Sequence, residues 1–308
     1  MSSNGQDTHG LATVADFIRW GASRFAEAKL VFGHGTETAL DDAAALVLYA
    51  LHLPADLPEV YFRSVLTEME RGTVLALLQR RIDERRPAPY LTNEAWFAGL
   101  AFYVDERVLI PRSPIAELIE REFTPWIEPG SVARILDLCT GSGCIAVACA
   151  YGFPHAQVDA LDISTDALDV ARRNVEQHGL ASRVRLIQSN LFETLAADRY
   201  DIIVSNPPYV SNMEMSKLPR EFRYEPTVGL AGGGDGLDAV RVILRQASRC
   251  LTQNGILVVE VGDSADAVMQ QFPQIPFLWL DFQHGGHGVF LLTAEQLGTC
   301  QSELEQSA

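Results

Sequence analysis

The stretch from residue 133 to 149 constrains the fold most strongly, because an apolar run, a glycine turn and a helix start follow one another there. The apolar run ends at Asp137. Gly141 and Gly143 then form a Gly-x-Gly turn, in which the backbone can approach a ligand closely and adopt positive φ. The next apolar run ends at Asp162, 19 residues after Gly143. This is near the ~20-residue spacing of an acidic residue that binds ribose hydroxyls in nucleotide-binding βαβ units.

Apolar runs and helical patterns continue to alternate along the following hundred residues. We expect strands near 133–138, 157–162, 183–189, 200–205 and 256–261, and helices near 143–152, 165–178 and 237–252. This alternation predicts a mostly parallel sheet covered by helices on both faces. The last two β-like runs, 277–283 and 287–293, are joined by a short turn and are predicted to form an antiparallel hairpin.

The first hundred residues have a different pattern, with helical apolar spacing over 12–30, 39–52 and 67–86. Arg80, Arg81, Arg85 and Arg86 close the last of these helices, where cations complement the helix dipole; the alternative is a nucleic-acid patch. Short strands are expected over residues 90–110. The chain is thus predicted to comprise three parts: a helical domain (1–88), a β-hairpin linker (89–112) and an α/β domain (113–308).

Residues 205–209 read Ser-Asn-Pro-Pro-Tyr and follow an apolar run. The Asn206 side chain and the Pro207 backbone each offer a carbonyl oxygen, and together these could accept both hydrogens of a planar NH₂ group. Tyr209 supplies an aromatic face for stacking or for contact with a cation. The pattern indicates methyl transfer to an amide or exocyclic amine nitrogen. The alternative is an ordinary Pro-Pro turn that closes a strand.

The glycine turn fits a dinucleotide site poorly. Ala146 stands at the third glycine position, which the fingerprint permits, but Asp137 would repel a pyrophosphate. An acidic residue there suits a cationic amino group, such as that of S-adenosylmethionine. Both candidate sites follow carboxyl ends of predicted strands, where ligands bind in open α/β sheets.

Together these residues resemble the class I S-adenosylmethionine-dependent methyltransferases, and the Asn-Pro-Pro-Tyr motif resembles their glutamine-amide branch. The resemblance covers residues 12–297 and includes the segments 108–113, 189–192, 224–226 and 230–237. It implies a Rossmann-like methyltransferase domain, with a C-terminal antiparallel hairpin and a small N-terminal helical domain. One departure touches the cofactor: many relatives have Asp where this chain has Asn190, but Asn can still accept a hydrogen bond from an adenine amino group.

The resemblance implies a protein-glutamine N-methyltransferase that uses S-adenosylmethionine and releases S-adenosylhomocysteine. The segment 90–115 is closest to the subfamily that modifies ribosomal protein L-three. The cofactor contacts implied are Asp137, Cys139, Thr140, Gly141, Ser142, Gly143, Asp162, Asn190, Leu191 and Asn206. The substrate contacts implied are Asn206, Pro207, Pro208, Tyr209 and Arg112, with Asn206, Pro207 and Tyr209 as the catalytic set.

Composition narrows the class of partner. The net charge is −16, and residues 1–100 hold 9 basic and 13 acidic side chains, which leaves 15 basic and 27 acidic ones, a net of −12, on the remainder. Such a surface repels phosphate backbones and favours a basic protein; plain solubility is the alternative. The five cysteines lack zinc or Cys-x-x-Cys spacing, and we expect reduced thiols, no metal site, no membrane span and a cytoplasmic location.

Two histidines, a glycine run and two charged residues have structural explanations that do not require a site. His284 and His287 fall in the predicted hairpin turn rather than in a metal site, and the glycine run 232–236 is expected to be a flexible turn. Arg112 and Glu117 could shape the substrate entrance, with surface salt bridges as the alternative.

The sequence is also compatible with three other functions: glutamine methylation of a release factor, methylation of an exocyclic amine in nucleic acid, and non-catalytic binding of an adenosyl ligand. The second predicts a basic groove, which the charge disfavours. The third predicts loss of the motif's Asn or aromatic residue, and both are present.

Overall fold

A computed structural model describes residues 8–195 and 198–306. The chain divides into two compact units, which are Met1–Asn93 with Pro219–Tyr224, and Glu94–Leu218 with Glu225–Ala308. Most of the polar segment 1–10 lies outside the described residues. Over the described ranges, the helices are too short or too polar for any of them to cross a lipid bilayer.

The first unit is helical, and its three main helices confirm the apolar spacing. Thr13, Thr38 and Thr67 cap them, each accepting a hydrogen bond from a backbone N–H in the first turn. Their apolar faces form one core. The helices are α1 (Val14–Glu27), α2 (Ala39–Ala50), α3 (Glu68–Glu84) and α4 (Ala88–Thr92), with a 3₁₀ turn at Glu59–Arg63.

Arg81 differs from what we expected for the arginine cluster at the end of α3, because it is buried instead of facing solvent. Its side chain is only 1% exposed, and Nε donates to Oδ2 of Asp42 at 2.8 Å inside the helical unit. The rings of Phe25 and Phe32 lie 6.0 Å from its guanidinium carbon. Arg81 is therefore a core residue, because an acidic partner on α2 makes burial of its charge tolerable.

A short segment from later in the chain, Pro219–Tyr224, also belongs to this helical unit. Within it Glu221 is buried, and its Oε1 accepts hydrogen bonds from the backbone N–H of Val31 at 3.0 Å and pairs with Arg85 at 2.6 Å. The Tyr224 hydroxyl donates to the carbonyl of Glu84 at 2.6 Å. The segment is thus held by the last turn of α3 and the loop after α1, an arrangement that sequence periodicity does not reveal.

The second unit contains all the predicted strands and helices after residue 94. Its strands are β1 (Glu94–Phe97), β2 (Leu100–Tyr103), β3 (Arg134–Leu138), β4 (Gln157–Asp162), β5 (Val184–Gln188), β6 (Tyr200–Ser205), β7 (Leu251–Glu260), β8 (Leu278–Trp279) and β9 (Val289–Thr293). Its helices are α5 (Ile115–Glu120), α6 (Cys144–Gly152), α7 (Thr165–Gln177), α8 (Asn212–Met215), α9 (Thr227–Leu230), α10 (Asp238–Cys250), α11 (Ala265–Gln271), α12 (Ala294–Thr299) and α13 (Gln301–Gln306).

Strands β3 to β9 form one sheet in the order β5-β4-β3-β6-β7-β9-β8 within the described residues. The first five strands are parallel, and β9 runs antiparallel to both β7 and β8. The chain order reverses beside β3, whose neighbours are β4 and β6. A crevice outside the carboxyl ends of strands at such a switch point is the usual ligand site of this fold class.

The two faces of the sheet bury separate apolar cores, which confirms helices on both sides. Ile135 contributes to the core that contains α5 and α6, whereas Leu136 and Leu138 contribute to the core that contains α10. Alternate strand residues point to opposite faces, so a strand buried on both sides reads as a continuous apolar run. The strands β1 and β2 pair as a separate antiparallel hairpin.

Two local predictions were wrong. Residues 90–92, expected in a strand, belong to helix α4, since Pro87 provides a preset φ just before the first turn of that helix. The C-terminal hairpin is antiparallel as predicted, but residues 280–288 form a long loop rather than a short turn. Glu117 explains the loop, because its carboxylate accepts the backbone N–H groups of Gln283 at 3.0 Å and His284 at 2.8 Å and so withdraws them from the strand ladder.

Candidate active site

A cavity of about 400 Å³ opens at the carboxyl ends of β3, β4 and β6, inside the second unit. This volume is within the range of small-molecule sites. Of the residues that sequence reasoning singled out, those that line it are Cys139, Thr140, Gly141, Ser142, Asp162, Asn190, Leu191, Asn206, Pro208 and Arg112. Asp137, Gly143, Pro207 and Tyr209 are not among the lining residues.

Asp137 lies buried behind the glycine turn. Its Oδ2 accepts hydrogen bonds from the Thr140 hydroxyl at 2.5 Å and the Ala146 backbone N–H at 3.1 Å. Its Oδ1 is buried without a hydrogen-bond partner among the described residues. Burial raises the pKa of Asp137 to about 7, although the hydrogen bonds of Thr140 and Ala146 partly lower it. A cationic group that reached Oδ1 would relieve this cost.

Asp162 closes β4 and borders the cavity. Its Oδ2 accepts the Gly141 backbone N–H at 2.9 Å, and its Oδ1 accepts that of Ser164 at 2.9 Å. Each carboxylate oxygen keeps a further lone pair, so the side chain can also accept hydroxyl donors of a ligand. Burial raises the pKa of Asp162, and the backbone donors of Ser164 and Gly141 counteract it.

The glycine turn is held in a conformation that few residues other than glycine adopt. Gly143 has φ of +79° at the start of α6, and a Cβ added there would lie 3.2 Å from the Cβ of Ala171. Asn174 on α7 is fully buried and donates to the carbonyl of Ser142 at 2.8 Å. Sequence reasoning did not single out Asn174, because a lone Asn in an amphipathic helix carries no distinctive signal.

Asn190 and Leu191 follow β5 and form another wall of the cavity. The Asn190 amide Nδ2 donates to Oε1 of Glu193 at 2.7 Å, which leaves its side-chain carbonyl available as an acceptor. Leu191 has φ of +49°, and its carbonyl accepts the Ser189 hydroxyl at 2.8 Å. This geometry suits the hydrogen bond that the resemblance implies for an adenine amino group.

The Asn-Pro-Pro-Tyr motif extends directly from β6. Ser205 ends that strand, fully buried, and its hydroxyl donates to the Leu138 carbonyl at 2.9 Å, which fixes the motif beside the glycine turn. Asn206 and Pro208 border the cavity. The Tyr209 hydroxyl donates to Oε1 of Glu260 at 3.2 Å. Burial and the Glu260 charge raise the pKa of Tyr209, so its phenol stays neutral.

The glycine run 232–236, expected to be a flexible turn, is packed against the motif. A Cβ at Gly232 would lie 2.7 Å from the Pro208 carbonyl oxygen, and one at Gly236 would lie 2.4 Å from the Tyr209 carbonyl oxygen. The Gly232 N–H donates to the Val210 carbonyl at 2.9 Å. These glycines permit close backbone approach, so the run forms a wall of the motif rather than a hinge.

Arg112 reaches the cavity but is already engaged. Its two terminal nitrogens hold the buried carboxylate of Glu225 at 2.5 and 2.8 Å, and the Ile110 backbone N–H donates to the same carboxylate at 3.1 Å. The bidentate pair fixes the guanidinium at the cavity wall. Glu117 contacts the 283–284 backbone instead of lining the cavity, so it shapes a loop rather than an entrance.

The structure adds two carboxylates that sequence reasoning missed, Glu225 and Glu260. Both are largely buried, and Glu260 is the last residue of β7. A charged residue directly after the apolar run 256–259, at the carboxyl end of the strand, was a signal that could have identified Glu260. His287 contacts Asp263 at 2.7 Å, and in the part of the chain that is described no group of three or more His, Cys, Asp or Glu could hold a metal ion.

Comparisons with known proteins identify the family of this chain. A family model described as the methyltransferase small domain matches residues 126–270. The ribosomal protein uL3 glutamine methyltransferase of Xanthomonas campestris pv. campestris is 52% identical over 287 residues, which cover 93% of each chain. The protein of the same name from Bordetella pertussis is 49% identical over 290 residues, which cover 94% of this chain and 97% of that one.

Among solved structures, the hMettl16 catalytic domain in complex with a 3′UTR hairpin is 18% identical, with a TM-score of 0.50. The match covers 74% of this chain and 81% of that one, and it supports the fold alone. The curated relatives are far more similar and span nearly the whole chain. The chain therefore belongs to the family of ribosomal protein uL3 glutamine methyltransferases.

Proposed function

We propose that this protein transfers the methyl group of S-adenosylmethionine to the side-chain amide nitrogen of a glutamine in ribosomal protein uL3. One observation carries the proposal. The glycine turn 139–142, Asp162 and the Asn206 motif all border one cavity, so a donor and an acceptor could meet there. The uL3 substrate is the one that the names of the two curated relatives state.

The cavity residues fit the methyl donor. Asp162 would accept the ribose hydroxyls, and Asn190 would accept the adenine amino group with its side-chain carbonyl. Asp137 lies behind the glycine turn and does not line the cavity, but a donor amino group that came near its unpartnered Oδ1 would favour the charged form of this carboxylate. When bound, S-adenosylmethionine supplies an electrophilic methyl group on a sulfonium.

The acceptor side works by orientation. An amide nitrogen is a poor nucleophile, because its lone pair is delocalised into the carbonyl. The Asn206 side-chain oxygen and the Pro207 carbonyl would accept its two hydrogens and direct the nitrogen into the cavity. Tyr209 would pack on the flat amide. Aligned reacting atoms about 3 Å apart can lower the barrier by several kcal/mol.

The methylated nitrogen can lose its proton without a basic side chain. The amide nitrogen becomes cationic and strongly acidic as the new N–C bond forms, so it can release its proton to water and the chain needs no strong general base. The raised pKa of Tyr209 excludes a phenolate at neutral pH. Arg112, held by Glu225, would keep a positive charge at the wall and bind the polar backbone of the substrate.

Charge supports a basic protein substrate over nucleic acid. Residues 101–308 hold 15 basic and 27 acidic side chains, so the part that contains the cavity is strongly acidic. We also propose that the helical unit recognises the substrate. It exposes several large apolar side chains, including Val60, Tyr61, Val65 and Met69. Replacing Tyr61 and Met69 by serine should raise the KM for uL3 and leave donor affinity unchanged.

We further propose that the enzyme acts in the cytoplasm, where its five cysteines would stay reduced. All five are free thiols in the structure, and burial raises the pKa of Cys144 and Cys149. These two buried neutral thiols are unreactive packing groups.

A direct comparison of substrates tests the proposal. Purified uL3, a release factor and protein-free ribosomal RNA are offered at equal concentration with labelled S-adenosylmethionine, and methyl incorporation is scored. We expect uL3 to be labelled preferentially. Labelling of the release factor would move the assignment to the neighbouring subfamily, and labelling of RNA alone would refute glutamine methylation. Charge steering also predicts slower labelling at high salt, because the screening length is about 8 Å at ~0.15 M.

A further inference from the structure

Asn174 is a fully buried side-chain amide that does not line the cavity and takes no part in the reaction described above. It stands on α7 one helical turn after Ala171, so both side chains lie on the face of the helix that packs on the glycine turn. Ala171 packs beside Gly143, and Asn174 reaches the neighbouring Ser142. A buried amide is costly unless its polar groups are hydrogen-bonded.

The acceptor and both donor hydrogens of the Asn174 amide are used. Its Oδ1 accepts the Tyr103 backbone N–H at 2.8 Å, and its Nδ2 donates to the Tyr103 carbonyl at 3.0 Å. The same Nδ2 donates to the Ser142 carbonyl at 2.8 Å. These partners also determine which way the amide faces, because a flipped side chain would set its NH₂ against an N–H and its oxygen against two carbonyls. One side chain thus joins the glycine turn to the end of β2.

Tyr103 is the last residue of β2, and a wall segment, residues 104–113, begins directly after it. Most of this wall segment lines the cavity. At its far end, Oγ of Ser113 lies 2.5 Å from Oε2 of Glu260, whose Oε1 lies 3.2 Å from the Tyr209 hydroxyl of the motif. The wall segment is therefore held at its start by Asn174 and at its end by contacts that lead to the motif.

We propose that Asn174 is a positioning residue: it holds the glycine turn and the start of the wall segment in one fixed arrangement, so that the methyl donor and the acceptor amide meet in line. The turn contacts the donor in the proposed function, on which this inference rests, and the wall segment ends beside the motif that would orient the acceptor. A misplacement of about 1 Å between two such groups can cost on the order of 100-fold in rate.

Asn174→Ala tests the proposal, with Val175→Ala as the matched control. Val175 is the next residue of α7 and is buried in an apolar core, so its truncation removes packing but none of the three hydrogen bonds. Both variants should melt at a lower temperature than wild type. With uL3 and donor saturating, we expect kcat to fall on the order of 30-fold in Asn174→Ala and to stay within about twofold of wild type in Val175→Ala.

A second variant covers the case in which Asn174→Ala does not fold. Asn174→Ser keeps a small polar side chain, but one hydroxyl cannot satisfy all three backbone groups that the amide satisfies. Its kcat should therefore also fall well below that of Val175→Ala.

A further measurement needs neither uL3 nor turnover. Hydrogen–deuterium exchange of the backbone amides is followed by mass spectrometry with and without S-adenosylhomocysteine. Residues 103–105 do not line the cavity, and the Tyr103 N–H is bonded to Asn174, so a ligand on the glycine turn reaches them through this amide. We expect the ligand to slow exchange at residues 103–105 in wild type and Val175→Ala, and to leave it unchanged in Asn174→Ala.

The proposal would be overturned if the ligand did not protect residues 103–105 in wild type, or protected them equally in Asn174→Ala. Equal losses of rate and protection in Val175→Ala would also overturn it, because general destabilisation would then explain both. If wild type failed to methylate uL3 but the protection difference were present, the positioning role would stand and the substrate assignment would fail.

Discussion

The backbone N–H of Gly141 donates a 2.9 Å hydrogen bond to Oδ2 of Asp162 and so joins the glycine turn after β3 to the end of β4. A single carboxylate therefore supports the turn and borders the cavity. Ligand binding and turn geometry are coupled at this residue, because the oxygen that supports the turn is also a candidate ligand acceptor.

Asp162→Ala should weaken donor binding strongly. Loss of hydrogen bonds to a charged acceptor costs about 1.5–3 kcal/mol, which corresponds to roughly 10- to 100-fold in Kd. Isothermal titration calorimetry with S-adenosylmethionine measures the Kd of the donor. Asp166→Ala, an exposed change in the first turn of α7, serves as the control. Wild-type affinity in Asp162→Ala would show that the ribose assignment is wrong.

Asn206→Ala should separate binding from chemistry. The substrate amide loses one of its two acceptors, so single-turnover methylation with saturating donor should slow on the order of 100-fold. Donor affinity should fall less, because most donor contacts are expected from the Asp137 and Asp162 loops. Asn212→Ala, on the exposed start of α8, should be neutral. A wild-type rate in Asn206→Ala would exclude Asn206 from catalysis.

Asp137 should make stability depend on pH. Burial raises its pKa from 3.8 to about 7 in the folded chain. The unfolded chain releases this proton near pH ~4, whereas the folded chain keeps it to about pH 7, so stability from this group is present at low pH and lost as pH rises across that window. The free energy of unfolding of Asp137→Asn, measured by urea titration, should therefore increase relative to that of wild type between pH ~4 and ~7. A difference between the two proteins that stays constant over this pH range would contradict the raised pKa of Asp137.

Arg81→Ala should destabilise the helical unit. Removal of one partner leaves the Asp42 charge buried, and the typical cost is about 3–5 kcal/mol. Chemical denaturation followed by helical circular dichroism measures the change. Arg80→Ala removes a half-exposed arginine that pairs with Glu84 on the same helix, and it should cost less than about 1 kcal/mol. Equal effects of the two substitutions would argue against a special role for the buried pair.

Periodicity and strand-end chemistry were enough to predict the helices of the first unit, the parallel sheet and the crevice beside β3. These features depend on local patterns, such as apolar runs and the Gly141-x-Gly143 turn. The excursion Pro219–Tyr224 into the helical unit could not be predicted, because Glu221 meets Val31 and Arg85 through contacts far apart in sequence.

Contacts between distant segments explain the remaining misses at the site. The glycine run near Gly232 looks flexible in sequence, but the close approach of the Pro208 backbone makes it a packed wall. The long loop before β9 depends on Glu117, more than a hundred residues earlier. In each case a single side chain or backbone approach overrides the local turn signal.

The most direct test of the central claim locates the transferred methyl group. Purified uL3 is incubated with labelled S-adenosylmethionine and either wild type or Asn206→Ala, digested, and sequenced by tandem mass spectrometry. We expect one methyl group on the side-chain amide nitrogen of a single glutamine with wild type, and almost none with Asn206→Ala at the same time point. A methyl group on lysine, arginine or a backbone nitrogen, or equal glutamine labelling by the two enzymes, would contradict the account.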